Sequence, residues 1–448
     1  MKYLFGLLIL LISTVVLAQP LQRQAFLGIA PQAAEGGVLI ASVLPDGTAD
    51  RLGVEVGDLL RSVNGVTVDG PPTLFVALSD LRTGDPVRLT VQRGEDTLEL
   101  VGSATARPLE QPEVGSIRYD AVAYGDGRLR TLINTPDGEG PFPTVLYLQG
   151  YPCQTVEGSS PNNFNRRLVE GYVEAGFAVV RVEKPGMGDS DGPLNCEDID
   201  FDTETGGFAA AWEYAIDLEE TDDARMFMVG ISMGGIQAPL VAAASDRKPF
   251  GTIVWGTRVD NWHDYMLQMA GTQPMLIGAD PVEAYEAAEA ARPVLERFLI
   301  DRAPLETVLE DMPDAVASLA RVGMAPDGTF FGRTAAFFQG IAAHNLRAAW
   351  RDGGGAVLSL YGESDITAIS GFDQELIASI VNYYRPGTAD FIAVPRTSHA
   401  MAEVGTREEY REHWRRGTAQ QLAANFNSEV PKIMIEWMQQ QLNQEPAS

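Results

Sequence analysis

The sequence predicts a small β-rich unit followed by a doubly wound, mostly parallel α/β sheet with a helical cap. Three observations support this fold class. Short strand patterns and tight turns fill residues 24–102. From residue 116, apolar strand patterns alternate with helix patterns, which is typical of a parallel sheet covered on both faces. Over about residues 258–350 the strand patterns give way to helix patterns, which predicts a cap over the sheet.

Two hairpin signals define the β-rich unit. Asn64-Gly65 stands between two apolar runs, and this dipeptide is typical of a tight hairpin turn. A second hairpin is predicted around Gly94. Residues 103–115 contain prolines and few apolar side chains, so we expect a linker there. The α/β part is then assigned residues 116–445.

The elements of the α/β part follow from the period of its apolar residues. An opening hairpin is predicted at residues 117–134, and further strands at 144–148, 177–182, 224–228, 252–255, 356–361 and 391–394. Helices are predicted at residues 165–175, 207–218, 236–244, 305–319, 334–350 and 430–442. A further helix is expected to begin at Asp280-Pro281, where a capping residue precedes a proline.

One stretch of the α/β part carries a nucleophile motif. Residues 229–235 have the sequence Val-Gly-Ile-Ser-Met-Gly-Gly and stand between a strand pattern and a helix pattern. A sharp strand-to-helix turn holds the serine of a Gly-x-Ser-x-Gly motif clear of the sheet. Side chains at Gly230 and Gly234 would collide with neighbouring backbone, so glycine is expected at both. Ser232 is the predicted nucleophile, and a small residue in a crossover turn is the alternative interpretation.

A second match to the same motif surrounds Ser190. It follows Pro185-Gly186 and leads into Pro193, so no helix can start directly after the serine. Its neighbours Asp189 and Asp191 carry negative charge, which would oppose a developing oxyanion. We therefore interpret Ser190 as a loop serine.

A serine hydroxyl needs a base within hydrogen-bonding reach. His399 follows the last predicted strand of the sheet and therefore lies at the edge where Ser232 is expected. The other histidines lie in or beside the cap (His263, His344) or among charges on a helix pattern (His413). His399 is the predicted base.

The base needs a carboxylate that holds its tautomer. Asp365 follows the strand predicted at residues 356–361, which gives the chain order Ser232, Asp365, His399. Asp260 and Glu363 are the alternatives for this carboxylate.

Two N–H donors are expected to stabilise the oxyanion. Met233 supplies one, because it opens the helix after the nucleophile. The other is expected from the loop after residues 144–148. Pro152 has no N–H, so Tyr151 is the predicted donor, through either its backbone or its phenol.

The beginning of the chain predicts export. Residues 1–18 combine a lysine, an apolar run and small or β-branched residues before Ala18, which is typical of a secretory signal peptide. An uncleaved membrane anchor is the alternative. In a periplasmic or secreted protein, Cys153 and Cys196, which are the two cysteines of the chain, are expected to form one disulfide. Two buried thiols are the alternative.

Composition excludes one class of partner. The net charge of −28 makes nucleic acid a poor ligand, because phosphate binding needs a basic surface. The sequence contains no recognisable metal-ligand cluster or phosphate-binding loop, so neither a metal nor a cofactor is predicted.

The β-rich unit resembles a bacterial PDZ domain. The resemblance rests on Phe26-Leu27-Gly28-Ile29 and on three further motifs in order, at residues 42–49, 53–60 and 63–65. It implies that the loop at residues 25–28 donates backbone N–H groups to the carboxylate of a peptide C-terminus. It also implies that the following strand, from Ile29, pairs with that peptide. A PDZ fold that serves only for packing is the alternative.

The region from about residue 116 to residue 442 resembles α/β-hydrolases, nearest to serine esterases and serine aminopeptidase-like hydrolases. Its motifs are the turn at Ser232 and the segments 183–190, 362–365 and 398–399. One departure is Gln149-Gly150, where His-Gly is common. Residues and resemblance together predict an exported serine hydrolase that cleaves a carboxylic ester through an acyl-enzyme on Ser232. A serine peptidase or amidase, and a PDZ-based peptide-binding protein with an inert hydrolase fold, are the alternatives.

Overall fold

The computed structural model describes residues 20–158 and 163–444, so the expected signal peptide lies outside the described residues. In this part of the chain the strands form one sheet of six and one of eight. The strands are β1 (Ile29–Ala34), β2 (Gly37–Val43), β3 (Leu59–Val63), β4 (Val66–Thr67), β5 (Pro86–Arg93), β6 (Asp96–Ser103), β7 (Ser116–Tyr124), β8 (Gly127–Thr135), β9 (Phe142–Leu148), β10 (Ala178–Val182), β11 (Thr221–Ile231), β12 (Gly251–Trp255), β13 (Ala356–Gly362) and β14 (Ala389–Val394).

The helices lie between and around these strands. They are α1 (Thr48–Leu52), α2 (Pro71–Ser79), α3 (Phe164–Glu174), α4 (Phe201–Ile216), α5 (Met233–Ala244), α6 (Trp262–Leu276), α7 (Pro281–Leu295), α8 (Leu305–Asp311), α9 (Ala315–Arg321), α10 (Ala335–Ala343), α11 (Leu346–Asp352), α12 (Phe372–Tyr384), α13 (Arg407–Arg415) and α14 (Glu429–Asn443). A π-helical turn spans Glu296–Ile300, and a 3-10 helix spans Ala419–Ala424.

The first sheet is antiparallel and has the order β1-β2-β3-β5-β6, with β4 paired to β3. The hairpin predicted at Asn64-Gly65 joins β3 to β4, and both turn residues have positive φ, of 49° and 82°. Alternate residues of the strands, such as Val38 and Ile40, are buried in the core of this unit. Strand β1 lies at the edge of the sheet, which leaves its outer side open to pairing.

The second sheet has the order β14-β13-β12-β11-β9-β10-β8-β7. Its strands β9 to β14 are parallel to one another, and β10 pairs antiparallel with β8. Strands β7 and β8 form the predicted antiparallel hairpin at one end. Helices α3 and α14 bury their apolar faces on one side, whereas α4 and α5 do so on the other. The predicted doubly wound α/β fold is therefore confirmed. Because the parallel strands point the same way, the loops at their carboxyl ends meet at one edge.

Helices α6 to α11 fill the interval between β12 and β13, as the interruption in the strand patterns predicts. Two helix predictions there are wrong in detail. Residues 305–319 form α8 and α9 instead of one helix, because Pro313 has no N–H to continue the ladder. Residues 334–350 form α10 and α11, because the side chain of Asn345 accepts the Ala348 N–H at 3.0 Å and caps a new helix.

Helix α4 begins earlier than the predicted residue 207. Asp200 caps it by accepting the Thr203 N–H at 2.7 Å. Gly206 and Gly207 therefore lie inside the helix. A Cβ at Gly206 would lie 2.5 Å from the phenol oxygen of Tyr124, so glycine there allows the helix to approach β7.

Within residues 20–158 and 163–444, no helix is both long enough and apolar enough to cross a membrane.

Candidate active site

The turn at Ser232 lies directly between the end of β11 and the start of α5. Ser232 has φ 53° and ψ −114°, a conformation that a non-glycine residue rarely adopts. A Cβ at Gly230 would lie 2.5 Å from the Gly234 carbonyl oxygen, and one at Gly234 would lie 2.2 Å from the Leu148 carbonyl oxygen. Both glycines are therefore required by close backbone contacts. Backbone strain held in this way is characteristic of functional sites.

His399 and Asp365 form a hydrogen-bonded pair at the same edge of the sheet. His399 Nδ1 lies 2.7 Å from Asp365 Oδ2. The other carboxylate oxygen accepts the N–H groups of Thr367 and Ala368 at 2.7 and 2.8 Å. Asp365 is completely buried, so its orientation is fixed. This arrangement holds the imidazole in the tautomer whose Nε2 can accept a proton.

The electrostatic environment of His399 favours its charged form. Burial lowers the pKa of His399, but the negative charge of Asp365 and the hydrogen bond to it raise that pKa by more. The net result is a pKa above the ordinary 6.5. The imidazolium that forms when His399 accepts a proton is therefore stabilised.

Trp255, the last residue of β12, connects the backbone of the turn at Ser232 to that of His399. Its carbonyl oxygen accepts the Ser232 N–H at 2.8 Å, and its indole N–H donates to the His399 carbonyl oxygen at 2.9 Å. Gly256 follows, with φ 55°. A Cβ there would lie 2.9 Å from both Asp365 Oδ2 and His399 Nδ1. Sequence reasoning missed Gly256, although a glycine directly after an apolar strand at this edge was a usable signal.

The alternative carboxylates lie elsewhere. Asp260 forms an ion pair with Arg347, and the side chain of Glu363 is exposed.

The other histidines and the competing serine also have separate partners. His263 contacts Asp264 at 3.0 Å, His344 contacts Asp202 at 2.5 Å, and His413 contacts Thr418 at 2.9 Å. Ser190 is buried, and its hydroxyl oxygen accepts the Arg130 N–H at 3.0 Å. The geometry therefore groups His399 with Asp365 and places Ser190 in a structural loop.

The loop after β9 lies beside the turn at Ser232. A Cβ at Gly150 would lie 3.5 Å from the Ser232 Cβ. Within the described parts of the chain, neither the Tyr151 N–H nor the Met233 N–H has a hydrogen-bond acceptor. The Tyr151 phenol instead donates to the Phe330 carbonyl oxygen in the cap at 2.9 Å. The phenol of Tyr151 is therefore already engaged in a hydrogen bond, and its backbone N–H is the donor that can still bind an oxyanion.

Cys153 and Cys196 form the predicted disulfide, with their Cα atoms 5.8 Å apart. It ties the loop after β9 to the segment between β10 and α4. A cluster of buried charges, Lys184, Glu204 and Arg333, lies against the same loop. Sequence reasoning missed this cluster. Its one local signal is a lysine two residues after the end of the buried strand β10.

The predicted peptide-binding loop of the first sheet has open donors. The Phe26 N–H donates to the Thr105 carbonyl oxygen at 2.9 Å. Among the described residues, no acceptor faces the N–H groups of Leu27 and Gly28. Ile29 begins the edge strand β1, which pairs with β2 on one side only. These are the features that strand addition by a peptide requires.

Comparison with protein families finds one match in each part of the chain. Residues 25–101 match the PDZ domain family. Residues 125–315 match the X-Pro dipeptidyl-peptidase (S15 family), which supports a hydrolase. Both matches agree with the resemblances found in the sequence.

Curated relatives and solved structures give more distant likenesses. A probable periplasmic serine endoprotease DegP-like of Brucella suis biovar 1 (strain 1330) is 31% identical over 129 residues, which cover 27% of this chain and 24% of that protein. The chain therefore spans about a quarter of the length of this relative. Est1E from Butyrivibrio proteoclasticus is 15% identical, covers 73% of this chain and 99% of that one, and has a TM-score of 0.45. The Pyrococcus horikoshii acylaminoacyl peptidase is 12% identical, and the match covers 82% of this chain and 48% of that one, with a TM-score of 0.43.

Proposed function

This chain joins a PDZ domain to an α/β-hydrolase domain, and we propose that it is an exported serine hydrolase that cleaves carboxylic esters. The observation that carries the proposal is the strained turn at Ser232 at the sheet edge that also holds the His399–Asp365 pair. A nucleophile, a base and an orienting carboxylate in this chain order are the parts that acyl transfer needs.

In the proposed reaction, the Ser232 hydroxyl oxygen attacks the carbonyl carbon while its proton passes to His399 Nε2. The carbonyl oxygen becomes an oxyanion that accepts the N–H groups of Tyr151 and Met233. The first N–H groups of α5 and its dipole favour negative charge at this point. The intermediate collapses, and the imidazolium returns the proton to the leaving alkoxide. Water then attacks the acyl-enzyme by the same route in reverse and releases the acid.

A peptide or amide is the second candidate substrate. The match of residues 125–315 to the X-Pro dipeptidyl-peptidase (S15 family) favours it, and so does a PDZ domain in the same chain, because such domains bind peptide ends. The ester is placed first because its alkoxide leaves more easily than an amine, which must be protonated before it departs.

The PDZ domain is proposed to bind the C-terminus of a peptide through the N–H groups of Leu27 and Gly28. Export is supported by the signal-like residues 1–18 and by the disulfide between Cys153 and Cys196.

Labelling with a fluorophosphonate probe tests the hydrolase assignment. Such a probe forms a covalent adduct with a serine only when that serine is activated as a nucleophile. We expect one adduct, mapped by mass spectrometry to Ser232. The absence of labelling in folded protein would favour the rival function, a PDZ-based binding protein with an inert hydrolase fold.

Substitution of the two motif serines gives a matched comparison. Ser232→Ala is expected to lower kcat for p-nitrophenyl acetate by about 10⁴-fold or more, because the nucleophile and base act as a unit. Ser190→Ala should cost far less, because its hydroxyl only accepts a backbone N–H. Unchanged turnover in Ser232→Ala, or an adduct on Ser190, would contradict the mechanism.

The ratio of kcat/KM for a p-nitrophenyl ester and a p-nitroanilide with the same acyl group separates the two substrate classes. A ratio that stays high over a series of acyl groups supports an esterase. A dipeptidyl anilide that is cleaved as fast as its ester would move the assignment to a peptidase.

A further inference from the structure

Lys184 is a buried cation that contacts the loop carrying the proposed oxyanion donor. Its side chain is completely buried, and each of its three N–H donors has an acceptor. Nζ lies 2.7 Å from the Gly150 carbonyl oxygen, 3.0 Å from the Tyr151 carbonyl oxygen and 3.1 Å from Glu204 Oε1. A buried ion carries a large desolvation cost. No step of the proposed reaction requires this ammonium group, so its burial beside the loop needs another explanation.

The geometry of the peptide bond explains what this contact does. The Gly150 carbonyl and the Tyr151 N–H belong to one planar trans peptide, so they point in opposite directions. A cation that holds the carbonyl on one side therefore fixes the direction of the N–H on the other. The same contact polarises the amide and makes its N–H a stronger donor.

Arg333, which precedes α10 in the cap, supports the loop in a different way. Its Nη2 contacts the Tyr151 carbonyl oxygen at 3.1 Å and Glu204 at 2.5 Å, and its Nη1 contacts the Cys196 carbonyl oxygen at 2.6 Å. The Tyr151 carbonyl shares its peptide plane with the nitrogen of Pro152, which carries no hydrogen. Arg333 therefore holds the loop without fixing the plane of the donor.

We propose that Lys184 is a positioning residue that orients and polarises the Tyr151 N–H as an oxyanion donor. The proposal rests on the proposed serine hydrolase function. Burial lowers the pKa of Lys184 to about 8, although the charge of Glu204 raises it. The three acceptors around Nζ match the three N–H donors of an ammonium group.

Lys184→Met, which keeps the length of the side chain but removes the charge, tests this role with p-nitrophenyl acetate. We expect kcat to fall by about 10- to 10³-fold, the upper value being the loss of a whole oxyanion donor. KM should change by less than about threefold, because the donor acts in the transition state and not in the ground state. The inhibition constant of butaneboronic acid, which forms a tetrahedral adduct on the nucleophile, should rise by the same factor as kcat falls.

Arg333→Met is the matched control, because it removes a buried cation from the same loop but leaves the Gly150 carbonyl bound. Its kcat should fall by a smaller factor than that of Lys184→Met. The inhibition constant of the boronic acid should not rise by the factor by which kcat falls in Arg333→Met. Equal effects of the two variants on kcat and on boronic acid binding would overturn the inference, because both cations would then act only on loop stability.

A folded Lys184→Met variant with kcat within about twofold of the unsubstituted protein would also overturn the inference. If that variant does not fold, Lys184→Met with Glu204→Gln removes both charges of the ion pair and is judged by the same criteria. Ser232→Ala measured alongside separates the two proposals. If it retains activity, the proposed function fails; if it is inactive while Lys184→Met is fully active, only the positioning role fails.

Discussion

At the scale of single residues, the contact between Asp365 and His399 sets the pH range of the proposed reaction. Asp365 is fully buried, and its carboxylate accepts two backbone N–H groups and contacts one ring nitrogen of His399. Its charge raises the pKa of His399 above 6.5. Only the neutral imidazole can accept the serine proton, so activity is lost as the pH falls through this raised pKa.

The acid limb of the pH profile tests this contact. In the unsubstituted protein, kcat/KM should rise with pH and have its midpoint above 6.5. Asp365→Asn should move that midpoint to lower pH, because it removes the negative charge that raises the pKa of His399. It should also lower kcat by about 10⁴-fold, because the imidazole is no longer held in the correct tautomer. Asp260→Asn, at the alternative carboxylate, should leave the midpoint unchanged. A midpoint that does not move in Asp365→Asn would contradict the assigned pair.

At the scale of elements, the loop after β9 is held by three independent devices. The disulfide binds it at Cys153, the charges of Lys184 and Arg333 bind its carbonyls, and the Tyr151 phenol binds the cap. Such restraint is expected where a backbone N–H must be in place before charge develops on the substrate.

Removal of the disulfide should therefore affect both stability and turnover. The bond closes a loop of 43 residues, and the chain-entropy model gives a loss of about 4 kcal/mol in the free energy of unfolding when it is removed. Cys153→Ala with Cys196→Ala should show this loss in urea and a lower kcat, because Cys153 is close to Tyr151 in the chain. Dithiothreitol should have the same effect on the unsubstituted protein and none on the double variant. Full turnover after reduction would show that the charges alone hold the loop.

The sequence predicted those parts of the site whose signals are local. The turn at Ser232 was predictable because its glycines, strand and helix are contiguous, and the strands around it were predictable from their apolar runs. Asp365 and His399 followed from the rule that loops after parallel strands share an edge. The ion pairs of Glu204 with Lys184 and with Arg333 were not predictable, because they join a residue of α4 to a loop residue and to a cap residue that are distant in the chain. Helix breaks at Pro313 and Asn345 were missed, because apolar spacing continues across both.

At the scale of the whole molecule, residues just before the PDZ sheet are anchored on loops of the hydrolase domain. Arg23 Nη1 lies 2.7 Å from Asp189 and 2.8 Å from Glu157, and the Gln24 N–H donates to Asp189 at 2.8 Å. Both carboxylate side chains are only 2% exposed. Asp189 lies in the same loop as Lys184, and Glu157 lies in the segment between β9 and α3. The two domains therefore meet next to the elements that form the candidate site.

Arg23→Met is expected to destabilise the protein much more than loss of an exposed ion pair. The substitution removes a positive partner from the buried carboxylates of Glu157 and Asp189. Loss of one partner of a buried ion pair lowers the free energy of unfolding by on the order of 3 kcal/mol. Arg88→Met is the matched control, because Arg88 pairs with Glu99 at 2.9 Å and both side chains are more than half exposed. That change should cost less than about 1 kcal/mol. Urea unfolding followed by tryptophan fluorescence should therefore show a lower midpoint for Arg23→Met than for Arg88→Met. Equal midpoints would mean that the contact between the domains stabilises the fold no more than a surface pair does.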